Sequence, residues 1–426
     1  MPPSILRHQE WIGGQLISFL LARGPATRGE ILENLPIRPA TLYGLIQKLV
    51  RHGVLEEPER RGTHTGRRAS PVRLRPDQGC FIGIDLDFPC TVGVCLDAGG
   101  EVVAVARRNS PTLKTRRQAQ REIEEVVAEL RRRLGPRWKK VRGIGFADPG
   151  VVDVQRGVSI RAVNLEGWER LPTARWLEQI TGITASIYPD TAARAYAEAA
   201  AHRPAFPASL LHLQFDAGIG GGFVRGGELM LGDAHCAMEI GHLVIREGGP
   251  LCQCGNRGCL EAFAGFGALR RRVEELNEQG VQTALRAADF SFQQLAACHQ
   301  EGDKAAHALV QEVGFYMGTA MAMAVTILNP GVIVLGGGLT LIGDSLLAVA
   351  HNVLTLRCLP DALKNLVVKR SKMPEHATAL GAALLVRRRC LMEKIAFRQA
   401  ARNKKMVRFR ESRGLVGPSR GGDELR

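Results

Sequence analysis

Residues 241–261 read GHLVIREGGPLCQCGNRGCLE, and within them Cys252, Cys254 and Cys259 fall in a span of eight positions, with His242 ten residues ahead of the first. One imidazole and three thiolates are enough for a tetrahedral structural zinc site. Gly248, Gly249, Gly255 and Gly258 give so short a loop the backbone freedom to fold back around an ion. Four protein ligands leave no open position for a catalytic water, so the spacing points to one structural zinc per chain rather than to hydrolysis. Three thiols without a metal are the plain alternative, and an iron–sulfur centre would normally want a fourth thiolate. The other seven of the ten cysteines are scattered or sit in apolar surroundings, as reduced core thiols do.

Outward from this loop the chain alternates strands and helices. Phe81–Leu86 and Thr91–Asp97 with the Gly99-Gly100 turn read as a hairpin. Residues 113–135 form a charged helix, Val141–Phe146 a strand, and Gly182–Tyr188 a strand that enters a helix near Asp190. The same elements recur with Leu210–Phe215, a glycine loop at 218–222, a strand at Gly331–Leu335 running into Gly336-Gly337-Gly338, and a small-residue helix at Ala377–Leu385. Two α/β lobes with glycine turns facing each other would frame a cleft for a small ligand.

The two ends differ from this body. The chain has 426 residues and a formal charge of +15; residues 1–76 hold 12 basic and 6 acidic groups, 387–426 hold 13 and 4, and 77–386 hold 32 of each. Basic ends on a neutral body suit contact with a polyanion through peripheral parts, although a generally basic proteome would also give a positive total. Residues 11–22 carry apolar groups at helical spacing, Thr27 and Glu30 form a capping box for a second helix through Leu35, and Pro39 opens a third that runs to about His52. Val54–Glu57 and Val72–Leu74 then read as a two-stranded wing with a basic tip. This is a winged helix-turn-helix in which Thr41, Tyr43, Gly44, Gln47 and Lys48 face the major groove, while Arg51, Arg60, Arg61, Arg67 and Arg68 meet phosphates or the minor groove. A helical module that docks on a protein and carries a solvated basic face is the alternative. No secretory signal is expected, and stretches such as Thr319–Leu328 are too short to cross a bilayer, which predicts a cytoplasmic protein with no membrane partner.

Taken together, Glu239-Ile-Gly-His242 with Cys252-Gln-Cys254-Gly-Asn-Arg-Gly-Cys259-Leu-Glu261, supported by 143–153 (GIGFADPGVVD), 164–168 (NLEGW), 218–222 (GIGGG) and 336–338 (GGG), resemble the ROK family of sugar kinases, sugar-sensing repressors and their relatives. The resemblance spans about residues 8–390. It implies an actin-like, or ribonuclease H-like, two-lobed α/β body whose zinc loop lies beside the sugar. The amino-terminal module and its 66–74 exit (GRRASPVRL) are similar to those of the family's repressors. By the same resemblance Asp190 matches the base of a kinase, and Asn164, Asp190, Glu239, His242 and Glu261 match sugar-binding positions. His242 would then serve both metal and ligand, and for Asp190 a helix cap is the alternative role.

The kinase pattern is broken where ATP phosphates would be held. Asp87-Phe88-Pro89 fills the first phosphate turn, Asp216-Ala217 precedes the second at Gly218, Gly220, Gly221 and Gly222, and Pro189 stands where an asparagine usually precedes the base. Gly336, Gly337 and Gly338 complete this remnant. The expected domains are residues 1–76, a winged helix-turn-helix; 77–390, the two-lobed ligand-binding body; and 391–426, a basic, partly disordered tail. The expected function is a sugar-responsive repressor that binds double-stranded operator DNA as a homodimer or dimer of dimers and is not an enzyme. An ATP-dependent sugar kinase with an appended DNA-binding domain, and a ligand-independent regulator or scaffold, are the rivals.

Overall fold

The computed structural model describes residues 5–58, 70–87, 90–109, 114–162, 165–202 and 208–393. Arg60, Arg61, Arg67 and Arg68 of the expected wing tip, Phe88 and Pro89 of the first phosphate turn, Asn164, and the expected tail beyond residue 393 lie outside the described residues.

Three helices open the described chain: α1 (Ile5–Arg23), α2 (Arg28–Asn34) and α3 (Pro39–Arg51). α1 starts before the expected residue 11, because nothing from Ile5 onward breaks a helix, and it buries Leu16, Ile17 and Leu20. The capping box at α2 is formed in both directions. The Thr27 hydroxyl accepts from the Glu30 N–H at 3.3 Å and the Glu30 carboxylate accepts from the Thr27 N–H at 2.7 Å. Pro39 sits at the start of α3, which buries Leu42, Ile46 and Leu49. β1 (Leu55–Glu56) and β2 (Arg73–Leu74) pair antiparallel where the two strands of a wing were expected. The described residues from Arg387 onward belong to this same compact unit. Arg388 donates to the Ser18 hydroxyl at 3.3 Å, and a Cβ on Gly14 would lie 3.2 Å from Met392 Cε, so α1 is kept slim for this segment.

Pro76–Val386 forms a second unit of two lobes. In the first, β3 (Cys80–Leu86), β4 (Cys90–Asp97) and β5 (Val102–Asn109) make an antiparallel meander, longer by one strand than the expected hairpin. After β6 (Lys114–Thr115), α4 (Arg116–Leu134) lays Ile123, Val126 and Leu130 on the sheet, and β7 (Val141–Asp148) pairs parallel to β3. The short strands β8 (Val151–Asp153), β9 (Val158–Arg161), β10 (Leu165–Glu166) and β11 (Glu169–Leu171) lead through α5 (Thr173–Thr181) to β12 (Ala185–Pro189). The sheet order is β12-β7-β3-β4-β5.

The second lobe repeats the plan. α6 (Asp190–Ala201) connects to the meander of β13 (Ser209–Phe215), β14 (Ile219–Arg225) and β15 (Glu228–Leu229). Then come α7 (Leu260–Ala264), α8 (Phe266–Glu278), α9 (Phe292–Gln300), α10 (Lys304–Leu328), β16 (Val332–Gly336), α11 (Asp344–Arg357), α12 (Pro360–Leu363), β17 (Val367–Arg370) and a last helix, α13, over 377–393. β16 and β17 add parallel to β13, giving the order β15-β14-β13-β16-β17.

α6 and the part of α13 up to residue 386 lie between the two sheets, and small residues bring backbones into contact there. A Cβ on Gly381 would meet Ala193 O at 1.8 Å, one on Gly145 would meet Ala382 O at 2.2 Å, and one on Gly222 would meet Ala195 Cβ at 2.5 Å. Each lobe also has its own apolar core. α10 corrects one expectation: it runs for 25 residues rather than the ten apolar ones from Thr319, and by length and composition alone it is the one described helix able to cross a membrane. Most of it is buried in the second lobe, where Leu309, Val313, Met317 and Met321 form the centre of the core.

Candidate functional site

The 241–261 loop is a knuckle held by its own backbone. Val244 bridges to Cys259 and Leu251 to Arg257, while the Cys252 N–H donates to Asn256 O at 2.8 Å. Gly258 must be glycine: its φ is +79° and a Cβ would lie 1.8 Å from Arg246 O. The fold draws His242, Cys252, Cys254 and Cys259 together with all four ligand atoms within 4.8 Å of one another. Cys254 Sγ stands 3.7 Å from Cys259 Sγ, and Cys252 Sγ stands 3.6 Å from His242 Nδ1. Bond lengths of about 2.3 Å to sulfur and about 2.0 Å to nitrogen put the edges of a tetrahedral zinc site at about 3.8 Å and about 3.5 Å. The residues therefore fit a tetrahedral ion bound through Nδ1, which leaves Nε2 of His242 for another partner.

Beside the knuckle, carboxylates converge from both lobes. Asp190 is the first residue of α6, directly after Pro189, and its carboxylate accepts the Thr191 N–H at 2.5 Å. Burial, with Asp87, Asp148 and Glu239 nearby, raises its carboxyl to about 7, against the lowering effect of the Thr191 N–H. Glu239 follows Met238, whose φ of +72° is uncommon for a side chain of that size and marks local strain. Burial pushes the Glu239 carboxyl up, with His242 opposing and Glu261 adding to the shift. Glu261, in the first turn of α7, accepts the Ile219 N–H at 2.7 Å and so ties the metal loop to the start of β14. Four of the five expected sugar-binding residues are thus grouped, and Asn164 is the one outside the described residues.

Two features escaped the sequence reading. Asp148, at the end of β7, is fully buried and accepts from Trp168 Nε1 at 3.0 Å, from the Gly150 N–H at 3.0 Å and from the Ser159 hydroxyl, which also bonds Thr173. Burial raises its carboxyl while these three donors lower it. An aspartate ending a strand that is apolar from Gly143 onward, just before Pro-Gly, is the signal that could have found it. The second feature is a correction: Gly220, Gly221 and Gly222 are not a loop but part of β14. Gly220 and Gly222 are small because α6 presses on them, with would-be Cβ contacts of 2.8 Å to Thr191 and 2.5 Å to Ala195. Only Gly218 lies in the turn, next to the Glu261 carboxylate.

The last glycine run is occupied from within. Asp216 Oδ2 accepts the Gly338 N–H at 3.2 Å and the Gln214 amide at 3.3 Å. A backbone N–H in a glycine turn is what a phosphate would take, and here a carboxylate of the same chain has it. Gly336 and Gly337 are closed in as well: a Cβ on Gly337 would lie 2.1 Å from Phe215 O.

In the amino-terminal unit, α3 exposes Ala40, Tyr43, Gly44, Gln47 and Arg51 on one face. Thr41 and Lys48, expected beside them, are half-buried on its flanks. Arg28 of α2 stacks 4.6 Å over the Tyr43 ring and pairs with Glu57 at 2.7 Å, which fixes the tyrosine in place.

Two lobes of one plan, packed about small-residue helices, with grouped carboxylates beside a His-Cys cluster, define the actin-like sugar-kinase class of fold. The profile of the ROK family matches residues 81–389, and the chain belongs to that family. It is 26% identical over 364 residues to the xylose repressor of Caldicellulosiruptor bescii, covering 84% of this chain and 91% of the relative. It is also 26% identical over 370 residues to the DNA-binding transcriptional dual regulator NagC of Escherichia coli, covering 86% and 90%. Both alignments span more of the chain than the family profile, and the 37 residues beyond 389 are too few to hold the excess, so the amino-terminal unit takes part. A crystal structure of a ROK family transcriptional regulator, a homologue of the E. coli MLC protein, matches with a TM-score of 0.74 at 22% identity, over 92% of this chain and 98% of that one.

Proposed function

We propose that the chain is a sugar-responsive transcriptional regulator, a repressor, that binds operator DNA through α3 and its wing and a sugar through the cleft carboxylates. The observation that carries this reading is the exposed face of α3, with Tyr43, Gln47 and Arg51 on a helix whose other side is core, in the unit that kinases of the family lack. A helix of this diameter fits the major groove, where an amide can read an adenine edge and an arginine a guanine edge or a phosphate. Asp190, Glu239 and Glu261 supply acceptors for sugar hydroxyls, and His242 Nε2 is free to join them. His242, Cys252, Cys254 and Cys259 would hold a structural zinc that stiffens the ligand-side loop.

Ligand binding would favour one arrangement of the lobes about α6 and α13. DNA affinity then changes by the factor by which the ligand prefers that arrangement, and the effect is reciprocal. The protein acts in the cytoplasm as a homodimer or dimer of dimers, each unit reading one half-site.

Asp190 favours a second reading. A carboxyl raised to about 7 suits a general base, so sugar-dependent ADP formation that disappears in Asp190→Asn would revive a kinase. Asp216 opposes that reading, because it holds the Gly338 N–H that a phosphate needs. Footprinting the full-length protein on the DNA upstream of its own gene tests the main proposal. Protection that weakens steeply with salt is expected, and no protection at low salt would overturn it.

A further inference from the structure

α3 carries a glycine that no contact among the described residues requires. Gly44 lies mid-helix, is exposed, and is not among the glycines with positive φ. A Cβ placed on it would meet no atom of the described residues within 4 Å. Glycine in a helix interior costs backbone entropy relative to alanine, and here no contact among the described residues repays it. At 100° per residue, Ala40, Gln47, Arg51 and Gly44 fall within about 60° of one another on the outer line of the helix, opposite the buried Leu42, Ile46 and Leu49. Tyr43 borders this line and is held there by Arg28 and Glu57. The outer line is therefore low at its centre, with longer side chains at its rim.

We infer that Gly44 is where α3 approaches the base edges of the major groove most closely, and that its missing side chain is a determinant of sequence specificity. This rests on the DNA-binding reading above and deepens it. Phosphate contacts by arginines and lysines position a protein on any duplex, whereas base-edge contacts select the sequence. A methyl group at position 44 stands between the helix backbone and the base edges, so it penalises the selected site and leaves sequence-independent contacts almost untouched.

The test uses the full-length protein and a duplex that the unsubstituted protein has selected from a random pool, with a scrambled duplex as reference. Gly44→Ala is expected to weaken binding to the selected duplex at least tenfold and Gly44→Leu further. Binding to the scrambled duplex should change less than twofold. The ratio of folded to unfolded Gly44→Ala protein should rise about fourfold, as helix propensity dictates. Affinity within twofold of the parent on the selected duplex would overturn the inference while leaving the DNA reading intact. An equal loss on both duplexes, or a less stable Gly44→Ala protein, would overturn it too. A parent protein that selects no duplex would overturn the DNA reading and the inference with it.

Discussion

Asp148→Ala should be among the most damaging single changes in the first lobe. The carboxylate is fully buried and takes three donors, the Trp168 indole, the Gly150 N–H and the Ser159 hydroxyl. Removing it strands these donors in the core, each at about 1–3 kcal/mol. Against that stands relief of the burial that raises the Asp148 carboxyl, so the net loss is about 3–4 kcal/mol. Urea unfolding of the full-length protein, followed through its tryptophans, reads this loss as a lower midpoint. Trp168→Phe alone deletes one donor, and a double-mutant cycle with Asp148→Ala should return a coupling of about 1–2 kcal/mol. Trp168 closes the turn that follows residue 164, so the single variants should also bind sugar more weakly in calorimetry. A loss below about 1 kcal/mol with no coupling would refute the assignment of Asp148 as the anchor of this loop.

Other perturbations follow from the same contacts. Asp190 has a folded-state value raised from 3.8 to about 7, so it loses stability as the pH rises between those limits. Asp190→Asn should remove that slope, at most about 1.4 kcal/mol per pH unit, which urea unfolding at pH 5 and pH 8 will show. Cys254→Ser should lower the zinc found by elemental analysis from about one per chain to near zero and depress the unfolding midpoint. Gly381→Ala pushes a methyl into Ala193 O and should cost about 1–3 kcal/mol in unfolding experiments, since backbone on both sides cannot step aside.

Local chemistry was legible in the sequence and long-range packing was not. The Thr27–Glu30 box, the Pro39 start of α3 and the His242 to Cys259 spacing each act within a few residues or one loop, and the fold realises them as read. The glycines at 220–222 misled because a glycine run looks the same whether it frees a loop or admits a helix, and the helix that presses on them starts thirty residues earlier. Gly381 and Ala193 meet across nearly two hundred residues. Asp148 was quoted within a motif but not singled out, since its partners Ser159 and Trp168 come together only through the turns after β7. The reach of α10 back to Lys304 was hidden by Lys304, His307, Gln311 and Glu312, which lie on the exposed side of its first turns while Ala305, Ala306, Leu309 and Val310 on the other side are buried.

The proposed coupling is between a sugar bound near Asp190 and Glu239 and DNA binding by α3. Its most direct measurement is the affinity of the full-length protein for its selected duplex, by fluorescence anisotropy at fixed salt, with and without each member of a broad sugar panel. A change of tenfold or more is expected with at least one sugar, abolished when Glu239 is replaced by glutamine. An affinity unmoved by every sugar that calorimetry shows to bind would contradict it.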